Sequence, residues 1–156
     1  MTVQATKPGG GERTNMVRKS RNAYLEHLAR VPLFSGCSQA ELRALARRTT
    51  DIPVSAGSVL VKEGELGYEF FVITDGRAKV SRGGRKVGEL SAGDFFGELA
   101  LLERVPRNAT VTAISDMEAI VLTRADFDAA LAEAPGMARK LMVGMARRLR
   151  ELDAKV

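Results

Sequence analysis

Gly97-Glu98-Leu99-Ala100-Leu101-Leu102-Glu103-Arg104-Val105-Pro106-Arg107-Asn108-Ala109-Thr110 interrupts a chain that reads as short β-strands on both sides of it. Gly97 opens a helix-compatible run, Glu-Leu-Ala-Leu-Leu-Glu; Pro106 stops it, and Arg107 stands where β-type residues resume. One carboxylate and one guanidinium thus bracket a short helical turn. The first N–H groups of such a turn, here about Leu99 to Leu101, lack intrahelical partners and carry the positive end of its dipole, which suits an anion. Arg107 is a permanently charged planar fork that matches two phosphate oxygens. Glu98 accepts from a hydroxyl, and Ala100 is small enough to let an anion approach the backbone. A small molecule carrying a phosphate beside a ribose hydroxyl satisfies all three groups. Glu98 and Arg107, brought close, are expected to steady each other's charge.

Outward from this stretch, the segment 50–122 is punctuated by glycines at 57, 64, 67, 76, 83, 84, 88, 93 and 97. Between them stand runs rich in Val, Ile and Phe, at 58–62, 69–74, 77–82 and 86–90, and strand character resumes at 109–114 and 117–122 across a Ser115-Asp116 turn. Short strands at such spacing predict a small antiparallel barrel or sandwich. Helical periodicity occupies both ends. Val17, Tyr24, Leu25 and Leu28 predict a helix from Asn15 that stops before Pro32. Ser38-Gln39-Ala40-Glu41 is a capping box that opens a second helix over about 38–49. Thr123-Arg124-Ala125-Asp126 opens a third, which Pro135-Gly136 ends, and a fourth spans roughly 137–152. Met137, Leu141, Met145 and Leu149 form a stripe along that last helix. Core packing, a movable lid and a helix dimer seam all fit this spacing.

Composition narrows the functional classes. The single Cys37 forms no internal disulfide, and with the single His27 it leaves no common clustered zinc site. Both are expected to be passive, His27 as an exposed or half-buried helical residue. The net charge of +5 is uneven. Residues 1–30 and 137–156 each carry six Lys/Arg against two acids, whereas 31–136 carries twelve against fifteen. A basic nucleic-acid-binding core has the opposite distribution. No apolar run is long enough to span a bilayer, no signal-peptide core opens the chain, and a cytoplasmic setting is expected. Residues 1–14, with Pro8 and three successive glycines, read as a disordered basic tail.

Gly97-Glu98-Leu99-Ala100-Leu101-Leu102, followed by Pro106-Arg107-Asn108-Ala109-Thr110, closely resembles the phosphate-binding cassette of cyclic nucleotide-binding domains. Residues 90–96 resemble the strand and turn that lead into it, 31–34 the family's N-terminal connector, and 75–80 its central hairpin. The resemblance implies an α+β, mainly β fold: an eight-stranded antiparallel β-roll, jelly-roll-like, with N-terminal helices and two C-terminal helices. On this reading 15–156 is a single domain, with helices over 15–49, the roll over 50–122, the cassette at 97–110 and the C-terminal helices over 123–152. The resemblance assigns Glu98 to the ribose 2′-hydroxyl and Arg107 to the cyclic phosphate. Gly97, Leu99, Ala100, Asn108 and Ala109 complete the shell. It implies a non-catalytic sensor that needs no cofactor and signals by repacking its C-terminal helices, with a protein effector or self-association through the last helix as output. Cyclic AMP is the expected ligand and cyclic GMP the second option, because Asn108 matches neither the small residue nor the threonine found there in the two kinds of kinase. No helix-turn-helix follows the last helix, so sequence-specific DNA binding is not expected. The alternatives are a transcription-regulator fragment or partner-binding module of the same fold, or a degenerate domain that no longer binds nucleotide.

Overall fold

Alternating Val, Ile and Phe residues, cut by glycines, form eight antiparallel strands: β1 (Thr50–Val54), β2 (Val59–Val61), β3 (Glu69–Asp75), β4 (Arg77–Arg82), β5 (Arg85–Ser91), β6 (Phe95–Phe96), β7 (Thr110–Ala113) and β8 (Met117–Thr123). The computed structural model describes residues 24–154, which divide into two compact units, 49–124 and 24–48 with 125–154. The tail over 1–14 and the helix start at Asn15 lie outside the described residues. Among the described residues no helix is long and apolar enough to cross a membrane.

In the first unit the strands build two four-stranded sheets, in the orders β1-β8-β3-β6 and β2-β7-β4-β5. Their inner faces meet in one core, with Val54, Ile73 and Met117 from the first sheet against Ala78, Val111 and Ala113 from the second. Phe71 stacks on Phe96 at a centroid distance of 4.9 Å, which ties the two-residue strand β6 to β3. Phe70, Phe71, Val72 and Ile73 are all buried on β3, an inner strand of its sheet. Pro53 is accommodated because β1 is an edge strand, where a missing N–H costs little. Gly83 and Gly84, both at positive φ, make the two-residue connection from β4 to β5, the turn whose twist matches a hairpin.

The helical unit holds α1 (described over 24–30), a 3-10 turn at Pro32–Phe34, α2 (Gln39–Ala46), α3 (Arg124–Glu133, of which Arg124 belongs to the first unit) and α4 (Met137–Ala154). The capping box forms as the sequence predicts. The Ser38 hydroxyl accepts from the Glu41 N–H at 3.2 Å, and the Glu41 carboxylate accepts from the Ser38 N–H at 2.7 Å. Phe34 and Phe127 pack with ring centroids 6.3 Å apart. A Cβ on Gly144 would stand 3.4 Å from the Pro32 and Leu33 carbonyl oxygens, so α4 lies close against the 3-10 turn. Glu41 is buried and accepts from Lys140 Nζ at 2.8 Å. Arg47 and Arg48 both pair with Glu133. His27 is half-buried, as expected; burial, chiefly, lowers its pKa. Burial, chiefly, pushes the Cys37 thiol up to about 11, which keeps it protonated and unreactive.

The stripe on α4 divides into two halves. Met137 and Leu141 are core, whereas Met145 is 42% and Leu149 62% exposed, as are their neighbours Met142 and Leu152. Core packing therefore explains only its first half.

Candidate functional site

Gly97 follows β6 at φ +85°, a backbone conformation that disfavours residues with a Cβ. The chain then makes a single 3-10 turn at Glu98–Leu101, shorter than the helical run its sequence suggests. The Ala100 N–H donates to the Gly97 carbonyl at 3.1 Å. Backbone donors expected to face an anion are therefore used within the turn, because an i to i+3 bond closes sooner than an α-helical one. Beyond the turn, the segment leading to β7 is laced to residues 63–66. Pro106 bridges to Leu66, the Arg107 N–H donates to the Glu65 carbonyl at 2.8 Å, and the Gly64 N–H donates to the Arg107 carbonyl at 2.8 Å. The Glu63 N–H donates to the Thr110 hydroxyl at 3.0 Å. Ladder-like pairing on both strands of this loop fixes where Arg107 leaves the backbone.

The Arg107 side chain runs over two glycines. A Cβ on Gly67 would lie 1.9 Å from its Nε, and a Cβ on Gly97 would lie 2.5 Å from its Nη1. Nη2 donates to the Glu69 carbonyl at 2.7 Å. Half-burial lowers the guanidinium pKa from its ordinary value, opposed by the nearby Glu69 carboxylate. Gly67 and Glu69 are neighbours of Arg107 that sequence reasoning missed. Gly67 is visible in the sequence as one punctuating glycine among many, and only the fold shows which side chain needs the space it leaves.

The expected mutual steadying of Glu98 and Arg107 is not observed. Glu98 is half-buried and enters none of the ion pairs among the described residues. The slot over Gly67 leads the guanidinium to a backbone carbonyl instead, and the carboxylate oxygens of Glu98 have no partner among the described residues. A second guanidinium secures the carbonyl side of the turn. Arg124 donates from Nε to the Ala100 carbonyl at 2.8 Å and from Nη2 to the Glu103 carbonyl at 3.0 Å, and its own N–H donates to the Tyr68 carbonyl at 2.8 Å.

All seven residues singled out from the sequence, Gly97, Glu98, Leu99, Ala100, Arg107, Asn108 and Ala109, line one cavity of about 480 Å³. Val61, Val80, Leu90 and Val111 give it apolar walls, and Arg82, which sequence reasoning missed, also lines it. Ala109 is buried, whereas Leu99 and Asn108 are exposed. A separate hollow of about 610 Å³, bounded by residues such as Ile52, Val59, Phe71 and Val121, contains none of the seven. The first cavity offers an anion-binding fork, an unpartnered carboxylate for a hydroxyl and an apolar wall, which together suit a phosphorylated nucleoside of modest size.

Known proteins resemble this chain in sequence and fold. The family model of the cyclic nucleotide-binding domain matches residues 52–134. A cyclic nucleotide-gated potassium channel of Rhizobium etli is 37% identical over 114 residues, which cover 73% of this chain and 32% of the channel. A cAMP-dependent protein kinase regulatory subunit of Schizosaccharomyces pombe is 32% identical over 122 residues, covering 78% of this chain and 30% of the subunit. The chain thus spans about a third of the length of these curated relatives. Among solved structures, the N-terminal domain of a transcriptional regulator from Streptomyces coelicolor A3(2) superposes with a TM-score of 0.74 at 29% identity, covering 83% of this chain and 94% of that domain. The two-sheet roll, the helices before and after it and the match over more than half of the sequence lead to one conclusion: the chain belongs to the cyclic nucleotide-binding domain family.

Proposed function

We propose that this protein is a non-catalytic sensor of a cyclic purine nucleotide, with cyclic AMP preferred over cyclic GMP. One observation carries the reading. Glu98 and Arg107 line a single cavity, and the Arg107 guanidinium is held by the Glu69 carbonyl at 2.7 Å while Nη1 makes no hydrogen bond among the described residues. Arg107 takes the cyclic phosphate and Glu98 accepts from the ribose 2′-hydroxyl, whose donor its free oxygens suit. Gly97, Leu99, Ala100, Asn108 and Ala109 close the shell around them. The preference for cyclic AMP is supported by the likeness to kinase regulatory subunits named for it.

The ligand acts by population shift, stabilising one packing of α3 and α4 over another to the extent of its differential affinity for the two. Output goes to a protein effector or a second copy of the chain in the cytoplasm. The exposed Met142, Met145, Leu149 and Leu152 of α4 are the apolar surface available to such a partner. Residues 15–156 act as one regulatory module, and no sequence-specific DNA contact is part of the proposal.

Calorimetric titration tests it. Cyclic AMP is expected to bind in the micromolar range or tighter, about −8 kcal/mol, to be recovered intact after prolonged incubation, and to lose most of its binding in Arg107→Ala. Absence of heat with every purine cyclic nucleotide would exclude the reading.

A further inference from the structure

One cation of the cavity has no role in the assignment above. Arg82 ends β4 just before the Gly83–Gly84 turn and lines the cavity together with Glu98 and Arg107. The sheet register places it there. Val80 lies opposite Val111 and Ser81 opposite Thr110, so antiparallel continuation brings Arg82 beside Ala109, two residues or roughly 7 Å along the chain from Arg107. Arg82 is exposed; its Nε donates to the Asn108 carbonyl at 3.2 Å, and its Nη groups make no hydrogen bond among the described residues. Arg82 enters none of the ion pairs among the described residues. The cavity therefore holds one guanidinium placed for a phosphate and a second, unpaired, on the far side of Asn108.

The geometry points to Arg82 as a base-reading residue that favours guanine over adenine. The inference rests on the cyclic-nucleotide reading. With the phosphate on Arg107 and the sugar on Glu98, the base is the part of the ligand that reaches the Arg82 end, against Val80, Leu90 and Val111. A guanidinium fork carries only donors. Guanine presents two acceptors, O6 and N7, at the spacing of that fork, whereas adenine presents N7 beside a donor amino group. The exposed Asn108 side chain carries both donor and acceptor and makes no such distinction. Arg82 thus raises the affinity for cyclic GMP relative to cyclic AMP, whichever of the two binds tighter.

The test compares ratios. The unmodified chain, Arg82→Leu and Arg82→Lys are titrated with cyclic AMP, cyclic GMP and cyclic IMP, the last of which keeps O6 and N7 but lacks the 2-amino group. Arg82→Leu is expected to weaken cyclic GMP and cyclic IMP alike by about tenfold relative to cyclic AMP. Arg82→Lys keeps the charge without the fork and is expected to leave that ratio unrestored. An unchanged GMP-to-AMP ratio in Arg82→Leu overturns the inference, as does a loss confined to cyclic GMP while cyclic IMP is unaffected. If Arg82→Leu does not fold, Arg82→Lys and the cyclic IMP comparison decide by the same criteria. Failure of every nucleotide to bind the unmodified chain refutes the sensor reading itself and this inference with it; binding without the ratio change refutes only the latter.

Discussion

Arg107 is placed as much by the atoms missing beside it as by those it touches. Gly67 is not among the glycines at positive φ, so its backbone admits alanine, yet a Cβ there would occupy the space of the guanidinium. Gly67→Ala is therefore expected to move Arg107 off the Glu69 carbonyl and to weaken nucleotide binding by about 10- to 100-fold, the range of a lost hydrogen bond to a charged group. Combining it with Arg107→Ala should add little further loss, since both changes remove the same interaction. Calorimetry on the two single variants and the double variant measures this. Full affinity in Gly67→Ala would show that the slot does not position the arginine.

At the scale of the element, α2 and α4 are joined through a buried carboxylate. The hydrogen bond from Lys140, then that from the Ser38 N–H, lower the Glu41 pKa below its ordinary 4.5. A depressed folded-state pKa stabilises the fold above the unfolded value, and the stabilisation is lost as pH falls through the folded value. Lys140→Met, which removes the larger contribution, is expected to move the acid-unfolding midpoint to higher pH. Its stability deficit should shrink as pH drops below about 4.5. Circular dichroism across an acid titration measures both, and coincident midpoints would contradict the assignment. The two helices also show where periodicity stops being informative. The Ser-x-x-Glu box of α2 is a local device and forms as read. The stripe of α4 is equally regular, yet its first half is core and its second half is exposed, because spacing alone does not show what covers a face.

For the whole molecule, a ligand that binds only the folded chain stabilises it by mass action. Cyclic nucleotide at 100 times its Kd is expected to add about 2.7 kcal/mol, a rise in Tm of roughly 5–10 °C for a chain of this length. Differential scanning fluorimetry measures the shift. Arg107→Ala should abolish it, and an equal rise in that variant would place binding outside the cassette. The family match and the two-sheet roll set the frame for this expectation, and the cavity between the 3-10 turn and β4 gives it a location.

The boundaries of six strands and of α2, α3 and α4 were legible in the sequence to within a few residues, because alternation, glycine turns and capping residues act over short spans of chain. The seven residues singled out from the sequence lie within one continuous stretch, and the structure brings all of them to the lining of one cavity. What the tertiary structure alone decided involves partners distant in the chain. It directs Arg107 to the Glu69 carbonyl rather than to Glu98, and makes Gly67 the space the guanidinium fills. Arg124 is brought onto the carbonyls of the turn, and strand register carries Arg82 to the far side of Asn108. A side chain's type sets which bonds it can make; which of them it makes depends on the atoms that folding brings within reach.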